Sequence, residues 1–202
     1  MHAGMANSKE HWQRLYALQD AAARVLLGVD HAFYLTGGTA LSRGYFGHRY
    51  SEDLDYFVND RPEFSLWRER CIDTLAHAGA GRWTLEVVRR DERFGRLVLH
   101  GDVDLKMEFI NDVPSRCGAV AAHPLFGWLD TRENILANKI TALLDRAAPK
   151  DVADIYWLCC RAGISLLAAL EGAAGKAAGI FPPLVAKRLQ DEIGRASCRE
   201  RV

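Results

Sequence analysis

Long hydrophobic runs are missing from this 202-residue chain. The best candidate, 164–174, is interrupted by Ser165, Glu171 and Gly172, and it stays well short of the roughly 18 apolar residues that a membrane-spanning helix needs. An excess of either charge is missing too. The 26 Lys and Arg residues face 26 Asp and Glu, which excludes a broadly basic protein that coats nucleic acid and leaves any polyanion contact to local patches. The 17 glycines and 6 prolines follow no period, so collagen-like and low-complexity architectures are excluded. The cysteines at 71, 117, 159, 160 and 198 form no C-x-x-C pair, which argues against a zinc site or a disulfide framework. Cys159 and Cys160 fall in an apolar helical stretch and are expected as buried thiols. A secretion signal is missing as well: Glu10, His11 and Arg14 stand where its apolar stretch would lie, so a cytoplasmic protein is expected. No Walker loop, dinucleotide fingerprint or serine-nucleophile elbow occurs.

What is present is an ordinary globular composition, 49% hydrophobic and 26% charged, long enough for a sizeable core in one or two domains. Residues 195–202 lack amphipathic period and read as a vector-derived tail. They carry Arg195, Arg199 and Arg201 against Glu200, so the body of the chain without them is mildly acidic. Helical spacing is clear over 8–28, and Gly28 is a plausible end. A short strand at 33–35 runs into Gly37-Gly38. A short helix over 39–46, a strand at 54–58 and a helix over 63–78 follow. Strands are expected at 83–89, 96–100 and 103–110, the last two joined at Gly101-Asp102. Clear period is then lost from 114 to about 130. Helices are expected at 131–147, 150–161, 165–174 and 183–193, and the tryptophans read mainly as core. The fold class is α+β: a mixed sheet flanked by helices over 1–125, including the N-terminal helix, then a C-terminal helical bundle over 126–194.

The chemistry gathers at two places. Asp53 and Asp55 are two apart on a strand and so share a face. Two neighbouring carboxylates repel unless a cation lies between them or one takes a proton, and a divalent ion such as Mg²⁺ suits such oxygen ligands. Gly37-Gly38, between a strand and a helix, lets backbone N–H groups approach phosphate oxygens, and Thr39 adds a hydroxyl. A third carboxylate is expected from 103–109, where Val103, Leu105, Met107 and Phe109 alternate with Asp104, Lys106 and Glu108. Glu108 is the first choice and Asp104 the second. In the helical half, Arg132, Lys139 and Arg146 are seven apart and share a stripe. Lys150 and Asp154 lie four apart on the next helix, within reach of each other.

The run Gly37 to Leu41 (Gly-Gly-Thr-Ala-Leu), the run His48 to Phe57 (His-Arg-Tyr-Ser-Glu-Asp-Leu-Asp-Tyr-Phe), Lys106-Met107-Glu108, and the block 133–158 with Asn138-Lys139, Arg146, Lys150-Asp151 and Asp154-Ile155-Tyr156 resemble the AbiEii/AbiGii-type toxin family of the nucleotidyltransferase fold. The resemblance implies transfer of a nucleoside monophosphate from an NTP to an acceptor hydroxyl with release of pyrophosphate. The acceptor it points to is RNA, such as a tRNA end. It further implies a toxin of a type IV toxin–antitoxin or phage-defence system and a separately encoded antitoxin. Residue by residue, it assigns Asp53, Asp55 and Glu108 to Mg²⁺ (or Mn²⁺). Gly37, Gly38, Thr39, Ser42, Arg49, Lys139 and Arg146 are assigned to the nucleotide, and Lys150 and Asp154 to catalysis. Two further readings stay open: an enzyme that nucleotidylates protein hydroxyls, and a catalytically idle binding module of the same fold.

Overall fold

The computed structural model describes residues 2–146 and 148–199, with side chains over 9–146 and 148–193. It divides into two compact units, Met1–Asp112 with Val120–Leu129, and Val113–Ala119 with Asp130–Val202.

The first unit opens with α1 (His2–Leu27) and β1 (Tyr34–Thr36). A single turn, α2 (Gly37–Thr39), widens at once into a π-helical stretch, Ala40–Phe46. Then come β2 (Leu54–Asn59), α3 (Phe64–Ala78), β3 (Thr84–Arg90), β4 (Phe94–His100) and β5 (Asp104–Asp112), and last β6 (Ala121–His123) and β7 (Gly127–Leu129). All seven strands join one mixed sheet in the order β3-β4-β5-β2-β1-β7-β6. The helix at 39–46 expected from the sequence thus begins two residues earlier, on the glycines themselves. β6 and β7 fall where the sequence loses its period; three residues each are too few to show an alternation.

Strict alternation makes the sheet one-sided. On β2, β4 and β5 every second residue is buried and its neighbours are half-exposed. Leu54, Tyr56, Val58, Leu97, Leu99, Leu105, Met107 and Phe109 form the buried face, over which lie Leu15, Ala22 and Leu26 of α1 and Phe64, Ile72 and Leu75 of α3. Phe33 meets Phe109 at 4.9 Å between ring centres and Phe64 edge-on at 5.8 Å. Each such buried side chain contributes about 1.5–3 kcal/mol of apolar burial. Cys71 of α3 is fully buried here, and burial pushes its thiol up to about 12. Among the tryptophans, Trp83 is buried, its indole N–H donating to the Leu75 carbonyl at 3.0 Å, whereas Trp128 is exposed. The opposite sheet face stays half-exposed and carries the charged residues.

The second unit is helical: α4 (Arg132–Asp145), α5 (Pro149–Tyr156) running on as a π-helical turn (Trp157–Arg161), α6 (Leu166–Ala174) and α7 (Pro182–Arg199). Thr131 caps α4, its hydroxyl accepting the Asn134 N–H at 3.1 Å. Ile135, Leu136, Ile140 and Leu143 of α4 are fully buried. The close approach of α6 rests on Gly172, where a Cβ would lie 2.5 Å from Cys117 Sγ. Cys159 is half-buried and Cys160 exposed, against the expectation of two buried thiols. The backbone of α7 continues to Arg199, into the segment assigned to a tail. The side chains of that segment, and residues 200–202 entirely, lie outside the described residues.

Candidate active site

Strand pairing in the first unit sets a row of residues side by side across the open face. Thr36 of β1 is opposite Asp55 of β2, Asp55 is beside Glu108 of β5, and Glu108 is opposite Arg96 of β4. The β2–β5 pairing is parallel, so two carboxylates 53 positions apart in sequence become lateral neighbours at the usual strand spacing of about 4.8 Å. Asp53 sits just before β2, one pleat along on the same side. Asp104 is remote from this row: it lies at the start of β5 and holds His100 Nδ1 at 2.9 Å. The geometry therefore favours Glu108 over Asp104 as the third carboxylate.

The charge that answers these acids within the chain is Lys106. Its Nζ stands 3.0 Å from Asp53 Oδ2 and 3.4 Å from Glu108 Oε1. Partial burial alone would lower the Lys106 pKa. The hydrogen bond to Asp53 and the charges of Asp53, Glu108 and Asp55 outweigh that and raise it above the ordinary lysine value. Arg96 adds a second cation, with Nε donating to Glu108 Oε1 at 2.9 Å. Neither Lys106 nor Arg96 was singled out from sequence. Strict alternation placed Lys106 on the right face, and only the strand order places Arg96. Among the described residues no three acid, His or Cys side chains converge as a ready ligand set. The donors do fit a hard divalent cation in kind: carboxylate oxygens of Asp53, Asp55 and Glu108, held together around positive charge.

The glycine turn meets the same carboxylates. Gly37 takes a left-handed φ of +69°, and a Cβ there would lie 2.8 Å from Asp55 Oδ2. A Cβ on Gly38 would meet the Arg49 guanidinium at 2.5 Å and Ser51 Oγ at 2.8 Å. The glycines thus admit a carboxylate on one side and a guanidinium on the other, which any larger residue would displace. Thr39 and Ser42 are buried, with the Thr39 hydroxyl donating to the Asp53 carbonyl at 2.5 Å and the Ser42 hydroxyl to the Thr39 carbonyl at 3.5 Å. Thr39 therefore fixes the backbone under Asp53.

Gln19, buried on α1, pins the same loop by donating to the carbonyls of Ser51 and Glu52, each at 3.0 Å. Arg43 donates to Gln19 Oε1 at 3.0 Å, pairs with Asp20, and lies over the Tyr16 ring at 4.4 Å. This support had no local sequence signal, because its members are 23 to 33 positions apart.

A paired substitution separates backbone strain from the carboxylate contact. Gly47 also has a left-handed φ, +63°, but a Cβ there meets nothing within 4 Å. Gly37→Ala and Gly47→Ala should each destabilise by about 1–2 kcal/mol in urea unfolding. Only Gly37→Ala should also abolish catalytic turnover, because it pushes Asp55 aside. Equal activities would show that the Asp55 contact is unimportant.

The second unit holds the other candidates. Lys139 of α4 is buried. Its Nζ is buried between Asp151 Oδ1 at 2.8 Å and Asp154 Oδ2 at 2.9 Å. Arg146, at the end of α4, adds its Nε to Asp151 Oδ2 at 3.1 Å. Asp154 thus answers Lys139, whereas Lys150 is exposed. Asp151 was missed as a site residue; its distance of 12 positions from Lys139 carries no helical signal. Burial would raise the Asp151 pKa, but the Arg146 hydrogen bond and the Lys139 charge prevail and hold it below the ordinary carboxylate value.

Comparison with known proteins gives consistent findings. The family described as nucleotidyl transferase AbiEii toxin, type IV TA system, matches residues 21–197. An uncharacterized protein of Aquifex aeolicus is 31% identical over 144 residues, 70% of this chain. That match takes in 65% of the relative, so the chain spans just under two thirds of it. MenT4, a nucleotidyltransferase toxin from Mycobacterium tuberculosis, superposes with a TM-score of 0.55 at 14% identity, over 90% of this chain and 82% of that one. At that identity the likeness is one of fold.

Proposed function

The chain belongs to the family of nucleotidyl transferase AbiEii toxins, and on that premise we propose that it moves a nucleoside monophosphate from an NTP to an acceptor hydroxyl on RNA, such as a tRNA end, as the toxin of a toxin–antitoxin or phage-defence system. The observation that carries this reading is the lateral pair Asp55 and Glu108 beside a glycine turn shaped around Asp55 and Arg49. Asp53, Asp55 and Glu108 would hold the divalent ion, Mg²⁺ or Mn²⁺, which when bound lowers the acceptor hydroxyl pKa and neutralises charge on the phosphates. The chain's own work is positioning. Gly37 and Gly38 open the backbone N–H groups of a helix start to phosphate oxygens, and Arg49 supplies positive charge against the same turn. Thr39 and Ser42 hold that turn rigid.

Within the helical unit, the phosphate-binding candidates of this reading are Lys139, Arg146 and Lys150. Lys139 is held in place by Asp151 and Asp154. A protein antitoxin as partner and action in the cytoplasm belong to the same reading. No helix among the described residues is long and apolar enough to cross a membrane.

The test is incubation of the full chain with each α-labelled NTP, Mg²⁺, total RNA and total protein, followed by separation of the fractions. Label in RNA is expected. Label confined to protein would favour nucleotidylation of protein hydroxyls, and label in neither would overturn the proposal.

A further inference from the structure

The row of lateral neighbours does not stop at the carboxylates. Beyond Glu108 and Arg96 it continues to Arg89 of β3, the edge strand of the sheet. A register shift makes this so. Val87 pairs with Leu97, and unbroken pairing would next set Val88 against Arg96. The irregularity between Val87 and Arg89 instead sets Arg89 against Arg96. Bulges of this kind re-aim a side chain to the other face. The neighbouring Arg90 goes to the helix side, where it meets Glu69 of α3 at 3.2 Å. Two residues before Arg96 on the same pleat stands Phe94, half-exposed. The Arg89 guanidinium carbon lies 5.3 Å from its ring centre and that of Arg96 lies 5.4 Å away. An aromatic ring with two guanidiniums close by therefore adjoins the carboxylates on the half-exposed sheet face.

Arg89 can exchange its partner. The Arg89 side chain is 63% exposed and its ion pair is the exposed Asp91, at 2.5 Å. Such surface pairs are weak and screened, so a phosphate can take the place of the carboxylate. The ring offers a stacking surface that any base can use, and Arg flanking it adds cation–π attraction. A duplex buries its bases and offers no ring to stack. A protein hydroxyl brings neither a phosphate chain nor a base to such a surface.

We propose that the Arg89–Phe94–Arg96 platform is the track along which a single-stranded RNA end approaches the carboxylates, with phosphates on the arginines and a base on Phe94. This rests on the transfer reading for its purpose, but not for its measurement.

The experiment is fluorescence anisotropy of a short, mixed-sequence, 5′-labelled single-stranded RNA with the full chain in EDTA, without NTP, over a range of salt. Arg89→Gln should reduce the slope of log affinity against log salt by about one. Phe94→Ala should weaken binding at least about fivefold with the slope unchanged. Arg89→Gln is an exposed change, so folding is not at stake there, and thermal unfolding checks Phe94→Ala. Asp53→Asn should bind RNA at least as tightly as the parent. If the arginine and phenylalanine variants both bind as the parent does, the platform is overturned, whatever the transfer assay shows. If they bind weakly while no acceptor is ever labelled, the platform stands and the transfer reading falls. RNA binding unaltered by both variants together with label in protein would remove the track and point to a protein acceptor.

Discussion

Asp53→Asn is expected to lose nucleotide transfer by roughly 10²–10³-fold or more and to keep its fold. The substitution preserves shape, keeps one acceptor oxygen and removes one negative charge from a set of three. In the folded protein that charge faces Lys106 at 3.0 Å, a pair whose side chains are 25% and 38% exposed. Solvent screens such a pair, so its loss costs at most about 1 kcal/mol, and relief of repulsion from Asp55 and Glu108 works the other way. The melting temperature should therefore hardly move while turnover collapses. That divergence separates a chemical role from a structural one. Activity and thermal unfolding measured on the same preparation decide it. Near-normal transfer would remove Asp53 from the site. Equal loss of activity and stability would make it a structural residue.

The sequence carries this site unevenly, for physical reasons. Alternation is local, so the shared face of Lys106 and Glu108 and the buried face of Leu105, Met107 and Phe109 can be read directly from the strand; Val103, expected with them, is half-exposed and precedes the strand. The glycine turn is local too: Gly37 and Gly38 stand between strand and helix, and only a residue without Cβ fits against Asp55 and Arg49. The neighbourhood of Asp55 and Glu108 depends instead on β5 lying parallel to β2, a pairing fixed by the whole sheet order. Arg96 and the bulge that turns Arg89 over are legible only once that order is known. β6 and β7 escape because three residues are too short to establish a period. The seven-residue spacing of Arg132, Lys139 and Arg146 shows that they share a helix stripe, and shows nothing of what that stripe meets. Asp151 and Asp154, the partners that bury Lys139, come from the next helix.

Lys139→Met is expected to lower the stability of the chain by about 3–5 kcal/mol in urea unfolding. The side chain is 8% exposed and its ammonium lies between two carboxylates that are fully buried. Without it, Asp151 keeps only Arg146, a half-exposed cation, and Asp154 loses the ammonium at 2.9 Å. Buried carboxylates deprived of a cation are costly, and the cost comes from the acids left behind, not from the lysine that was removed. The triple variant Lys139→Met/Asp151→Asn/Asp154→Asn should therefore be clearly more stable than the single one. Little recovery would show that packing of the lysine stem, and not charge, sets the loss.

The pH dependence follows from the same arrangement. The native pKa of Asp151 lies below its unfolded value, so its stabilising contribution is complete above the unfolded value and is lost as pH falls through the carboxylate range toward the native one. In Lys139→Met, Asp151 loses the Lys139 part of that lowering and keeps the Arg146 part, so its native pKa moves up toward the unfolded value. Stability of the parent should fall between about pH 5 and pH 3 while the deficit of the variant narrows over the same interval. If the proposed phosphate role of Lys139 holds, transfer should not return in the triple variant, where stability is restored without the lysine. Recovery of both stability and transfer would make Lys139 a purely structural residue and leave phosphate binding to Arg49 and the glycine turn.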